Sequence, residues 1–259
     1  MRKHHGRLLF LVVISKLEDR PLSKLFTVWL LAISSLVAQE RPLNLEYRVE
    51  WRLIDAGKAF LKWNPGQGRG GQANIHIESL GLVNKLFPVK DDYSTNLDER
   101  GCTLSTLMLA EEGSRKRETQ VTYDRTRKKV EYQEKDLVLN QTVRKDIEIP
   151  GCTFDVIGAL VELRRLKMEP GTVLNVPVSD GKKFVNARVE VQAREKIKTP
   201  AGEFNTVRCE AFLFDGVLFT RKARLHVWFT DDPAKVPVQI RIAMKFYIGT
   251  VMLQLQNTP

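Results

Sequence analysis

From Leu43 to Leu53 the chain alternates without a break: Leu43, Leu45, Tyr47, Val49, Trp51 and Leu53 are interleaved with Asn44, Glu46, Arg48, Glu50 and Arg52. Side chains of an extended strand point alternately to opposite faces, so this pattern predicts a strand with one dry face and one wet face. Asp55-Ala56-Gly57 breaks the alternation, and residues 58–63 resume it.

The same style recurs to the end of the chain. A third strand is expected over residues 74–80, with Ile75 and Ile77 on one face. Segments 118–123 and 129–132 flank the turn Asp124-Arg125-Thr126, and 137–149 reads as a further strand. Segments 173–178 and 183–193 meet across Ser179-Asp180-Gly181, where Asp-Gly is a strong hairpin signal. Pro200-Ala201-Gly202 leads into 204–213, Asp215-Gly216 separates that from 218–229, and 238–246 and 250–254 complete the series.

One segment has helical spacing instead. Phe154, Ile157, Leu160, Val161 and Leu163 predict a helix over about 154–167. Thr153 can cap its start and Asp155 suits the positive end of the helix dipole. Arg164, Arg165 and Lys167 suit the negative end, before Pro170-Gly171 stops it. Many short strands with one helix predict an all-β protein: an antiparallel, strongly curved sheet, or an open or closed β-barrel, with one covering helix. Its dry face should include Tyr47, Val49, Trp51, Val189, Val191, Val207, Cys209, Leu225, Val227, Ile240 and Ile242.

The first 38 residues read as a signal peptide or N-terminal anchor. Residues 25–38 are uncharged and apolar, the length of an export-signal core and too short to span a bilayer comfortably. Residues 41–257 are then a single antiparallel β domain, periplasmic or secreted, or membrane-anchored if the leader is retained. The leader holds six basic residues and two acids, so +4 of the +10 net charge goes with it and +6 remains. That moderate excess, in an exported chain, argues against nucleic acid and leaves an anionic membrane or polysaccharide surface as a partner.

The three cysteines, Cys102, Cys152 and Cys209, allow at most one internal disulfide. Cys102 and Cys152 share a Gly-Cys-Thr context and form the candidate pair; the alternative is three small buried apolar side chains. No Cys-x-x-Cys occurs, and the two histidines beyond the leader, His76 and His226, lie on the polar faces of strands with no ligand spacing around them. No metal, cofactor or catalytic residue is therefore expected. Gly66, Gly68 and Gly71 fit GxGxxG, but alternating Asn74-Ile75-His76-Ile77 follows them where a dinucleotide site needs a helix, so they read as a hairpin loop. No Gly-x-Ser-x-Gly motif is present. Arg115, Lys116, Arg117, Arg125, Arg127, Lys128 and Lys129 form a basic cluster, readable as a docking surface for an anionic envelope or as solvated hairpin ends.

Residues 152–255 resemble a known family. Asp155-Val156-Ile157-Gly158-Ala159-Leu160 through Leu163-Arg164, then Thr199-Pro200-Ala201-Gly202-Glu203-Phe204, then Trp228-Phe229-Thr230-Asp231 through Pro237-Val238 are similar to the motifs of the bacterial domain of unknown function 3108. Val156 and Gly158 depart from that family's Pro and Ser. The resemblance implies an exported β protein with no assigned activity, and marks Asp155, Arg164, Gly202, Trp228 and Pro237 as structural anchors. The functional expectation is a non-catalytic module for a lipid or other amphiphile. The rivals are an assembly factor of the envelope, and an envelope hydrolase using Glu195 or Asp155 as acid or base.

Overall fold

A computed structural model of the protein describes residues 40–245 and 249–257, so the expected leader lies outside the described residues. The first meander is β1 (Leu43–Trp51), β2 (Ile54–Pro65), β3 (Gly71–Ser79), the short helix α1 (Gly81–Leu86), β4 (Val89–Leu97), β5 (Thr103–Glu112), β6 (Arg115–Asp124), β7 (Lys129–Asp136) and β8 (Gln141–Glu148). Helix α2 (Val156–Arg165) leads to the second: β9 (Val173–Ser179), β10 (Phe184–Thr199), β11 (Gly202–Ala211), β12 (Ala223–Thr230), β13 (Pro237–Met244) and β14 (Thr250–Leu255). All fourteen strands make one antiparallel sheet, in which β1 pairs with β14 and the outer strands are β8 and β9.

The sheet curls without closing. Pro177 in β9 has no N–H to give a ladder, which suits an outer strand. A single parallel bridge from the segment before α2 covers it instead, with Phe154 N donating to Pro177 O and Ser179 N to Phe154 O, both at 2.9 Å. At the other edge, β8 is almost wholly exposed and carries Arg144, Lys145 and Asp146, charges that discourage pairing with a further strand. The tip of the β9–β10 hairpin tucks into the curl, where Tyr123 Oη donates to Ser179 O at 2.9 Å and Lys182 Nζ lies 4.6 Å from the Tyr132 ring centre.

Cross-strand register puts the eleven expected residues on one inner face. Val191, Cys209, Val227, Ile240, Leu253 and Val49 form one row, and Val189, Ala211, Leu225, Ile242, Val251 and Trp51 the next. Tyr47 and Leu255 pair in the row beside them, and Val207 pairs with Phe229.

Four local expectations need correction. Leu53 is not on the dry face: Arg52 and Leu53 form a two-residue turn, both with positive φ (52° and 67°), and Leu53 is 89% exposed. Such a turn matches the twist of a hairpin, so β2 starts at Ile54 and includes Asp55-Ala56-Gly57. Strands β4 and β5, and helix α1, fill a stretch with no expected element. Residues 137–140 are the turn before β8, not part of it. The cap of α2 is Asp155, whose side chain accepts from Ile157 N and Gly158 N, while Thr153 Oγ1 donates to Gly151 O.

Helix α2 plugs the inner face at one end of the curl. Val161 joins the buried cluster that holds Leu45, Leu61 and Trp63, and Leu163 the one that holds Val176, Val189 and Phe229. Burying Val161 and Leu163 contributes about 1.5–3 kcal/mol each. Gly158 permits the approach, since a Cβ there would sit 2.7 Å from Asp155 Oδ1 and 2.8 Å from Thr103 Oγ1.

Candidate functional site

The inner face changes character from one side of the sheet to the other. In the two apolar rows, Val189, Val191, Cys209 and Val227 are buried beneath α2 and its neighbours. From β12 to β1 the cover thins, and Leu225, Ile240, Ile242, Val251, Leu253, Val49 and Trp51 are only half-buried. The row through Tyr47 continues as Ala59, Ile77, Asp91, Ala110, Arg117 and Asp136, so the same face turns polar across β4 to β7. Arg117 pairs with Glu112 and lies 3.8 Å from Glu134, which also accepts from Tyr132 Oη at 2.5 Å. Burial, with Glu112 nearby, raises the Asp91 carboxyl to about 6. An apolar wall and a few polar groups thus share one face of the sheet.

Asp155 lies at the plugged end and is fully engaged. Oδ1 accepts from Thr95 Oγ1 and Thr103 Oγ1 at 2.8 Å and from Gly158 N at 3.1 Å; Oδ2 accepts from Tyr93 Oη at 2.8 Å and Ile157 N at 3.0 Å. Burial and the Asp155 charge push the Tyr93 phenol well up. Five donors on one buried carboxylate fasten the helix start to β4 and β5 and leave no lone pair for a substrate proton. Cys102 and Cys152 form a disulfide beside it. Cys209 is free and buried, which pushes its thiol up to about 12.

Of the other residues that the resemblance marks, Arg164 ends helix α2 and Gly202, Trp228 and Pro237 lie in or beside strands β11, β12 and β13. Arg164 Nε and Nη2 donate to Ala234 O at 3.2 and 3.0 Å, and Nε reaches Lys235 O at 3.3 Å, tying α2 to the β12–β13 turn. Pro237 O accepts from Tyr47 Oη. Gly202 has φ +133°, a conformation that favours glycine, in the turn after β10. Glu195 Oε1 accepts from Trp228 Nε1 at 2.7 Å and from Arg208 Nη1 at 3.0 Å.

On the outer face a depression of about 740 Å3 is lined by Arg188, Arg208, Arg224, Arg241 and His226. Glu190, also in the lining, pairs with Arg188, and buried Glu210 beside the depression takes Arg224 Nε and Nη2 at 2.7 and 2.9 Å and Gln192 Nε2 at 2.6 Å, which hold its carboxyl low. His226 is mostly buried here rather than solvated, with Nε2 3.5 Å from Glu210. Burial lowers its pKa. His76 faces Asp92 at 2.7 Å on the other half of the sheet. Among the described residues no group of three or more His, Cys, Asp or Glu side chains is placed to hold a metal ion.

The seven expected basic residues divide between opposite ends of β6. Arg115, Lys116 and Arg117 begin that strand, while Arg125, Arg127, Lys128 and Lys129 follow it. Seven residues of strand, 118–124, lie between the groups and separate them by roughly 25 Å. Lys116 pairs with Glu111, Arg125 with Asp98, Arg127 with Asp124 and Glu131, and Lys129 with Asp146.

The fold is similar to that of a beta-barrel-like protein of domain of unknown function DUF1849 from Brucella abortus, at 10% identity and a TM-score of 0.54, covering 83% of this chain and 96% of that one. A Bacteroides fragilis protein with a YmcC-like fold is similar at 9% identity and a TM-score of 0.31, over 83% and 93% of the two chains. No curated protein matches the sequence. Residues 46–256 match the model of a protein family of unknown function, DUF3108. With most of its length inside that match, the chain belongs to the DUF3108 family.

Proposed function

We propose that this protein is an exported, non-catalytic module that binds a lipid or another amphiphile on the concave face of its curled sheet. The observation that carries this reading is the half-covered apolar wall of Val49, Trp51, Ile240, Ile242, Val251 and Leu253, continuous with the buried core. An acyl chain on that wall would finish covering it, at roughly 25 cal/mol per Å2 of apolar surface removed from water. Asp91, Arg117 and Glu134 on the same face offer a head group its polar contacts. The Cys102–Cys152 disulfide fits the oxidising compartment that export implies.

Native mass spectrometry on protein purified from its own envelope should find a co-purifying lipid. In parallel, a fluorescent fatty-acid probe should bind the wild type and bind Ile242→Lys about tenfold more weakly. A probe that ignores the substitution in a folded variant, together with a mass spectrum free of ligand, overturns the reading. A co-purifying protein in place of lipid favours an assembly role instead.

A further inference from the structure

On the outer face of β10 to β13, arginines outnumber acids where the depression lies. Its lining holds four guanidiniums, Arg188, Arg208, Arg224 and Arg241, and one carboxylate, Glu190. Two more carboxylates reach these arginines from beside it. Arg188 pairs with Glu190, Arg208 Nη1 donates to Glu195 Oε1 at 3.0 Å, and Arg224 donates to both oxygens of Glu210. Three acids therefore account for three arginines. Arg241 is the fourth. Its neighbours on this face, direct and diagonal, are His226, Met252, Arg224, Trp228, Thr250 and Gln254, with no acid among them. Glu50 lies one strand further on, across Met252, and pairs with Arg48. Among the described residues Arg241 has no acid partner, and it is exposed.

Strand register gathers three of these guanidiniums around one point. His226 lies between Glu210 of β11 and Arg241 of β13, with Arg224 two residues before it and Arg208 diagonal to it. Diagonal neighbours in a sheet are about 7–8 Å apart, within reach of long side chains. Two of the three guanidiniums are held in place by a buried network. Gln192 Nε2 donates to Glu210 Oε2 at 2.6 Å, and Gln192 Oε1 accepts from Arg208 Nε at 2.9 Å. Neither Arg208 nor Arg224 uses all five of its N–H donors in these bonds. His226 adds no charge of its own, because burial lowers its pKa.

We infer that this depression binds a small sugar phosphate, with the phosphate on Arg241 between Arg208 and Arg224. A guanidinium with no acid of its own, beside two that are fixed, is a preorganised oxyanion site. A tetrahedral phosphate presents oxygens in several directions and can meet forks from three sides, whereas one or two forks satisfy a planar carboxylate. The volume, about 740 Å3, exceeds what a bare phosphate fills and suits a small organic ligand. Thr172 and Gln192 line the remainder and keep hydrogen-bonding capacity for hydroxyl groups. The site is on the face opposite the proposed amphiphile wall and stands whether or not that wall binds a ligand.

Calorimetric titration of the purified protein with glucose 1-phosphate, inorganic phosphate and glucose tests it. Glucose 1-phosphate should bind, more weakly at high salt, with inorganic phosphate at least about threefold weaker and glucose giving no heat. Arg241→Gln should weaken glucose 1-phosphate binding about tenfold or more and leave the melting temperature unchanged, since Arg241 holds no other side chain. Arg144→Gln, on the exposed edge strand β8, should bind as wild type does. No heat from glucose 1-phosphate, an Arg241→Gln variant that binds normally, or an equal loss in Arg144→Gln overturns the inference. Inorganic phosphate binding as tightly as the sugar phosphate would mean an adventitious ion only, and overturns it too. Fatty-acid probe binding reports on the inner face separately and should be the same in Arg241→Gln as in wild type.

Discussion

Tyr47 of β1 donates its phenol to the carbonyl of Pro237 at the start of β13, at 2.6 Å and across 190 residues of sequence. Both strands flank β14, so this bond spans the strand that joins the two meanders. Burial pushes the Tyr47 phenol far up, keeping it a donor at any pH the fold survives. Tyr47→Phe removes the donor and leaves the carbonyl unsatisfied, and should cost about 1–2 kcal/mol in urea unfolding. A loss near zero would mean water replaces the phenol.

Asp155→Ala should be far more damaging. It strips the acceptor from Tyr93, Thr95, Thr103 and two backbone N–H groups at once. About 3–5 kcal/mol should be lost, read as a lower urea midpoint. Thr95→Val, which removes one donor and fills the same space, should cost about 1 kcal/mol.

The Cys102–Cys152 bond closes a loop across a sequence separation of 50. A double Cys→Ser variant at these positions should lose about 4 kcal/mol if chain entropy dominates. Buried Cys209, with its thiol held near 12, should resist thiol reagents until the protein unfolds. Labelling of the native protein at Cys209 would mean that the core opens readily.

Asp91, ordinarily near 3.8, is raised to about 6 by burial and by Glu112. The fold therefore keeps a proton there that the unfolded chain has already released, and stability falls as pH rises from about 4 to about 6. Asp91→Asn should stabilise the protein at pH 7 by about 1 kcal/mol, the shift being discounted for a half-exposed group, and have little effect at pH 3. Melting temperatures at the two pH values check the sign. A larger gain at acid pH would reverse it.

The inner face was legible wherever its residues are apolar, because alternation reports burial directly. It was silent over β4 and β5 for a physical reason. There the inward positions mix Asp91, Tyr93, Thr95 and Thr106 with Leu97, Met108 and Ala110, while Leu107 and Leu109 point outward. Apolar and polar residues fall on both faces, so hydrophobicity alone assigns no strand. The turn at Arg52-Leu53 was hidden because neither residue favours positive φ and Leu53 continued the alternation. Exposed Leu82, Leu86 and Phe87 look in sequence like core residues. Only strand order shows that they share a rim with Leu53 and Leu137–Leu139.

Synthesis delivers β1 first and β14 last, yet they are neighbours at the middle of the sheet. Each meander can zip from local hairpins as it emerges, but the seam between them waits for the final strand, which makes the closing contact also the most distant in sequence. Until Thr250–Leu255 arrives, β1 and β13 are both bare edges, each able to template pairing with another chain. The last strand is thus a latch: losing it would open two strand edges at the middle of the sheet, through which it could grow by recruiting others.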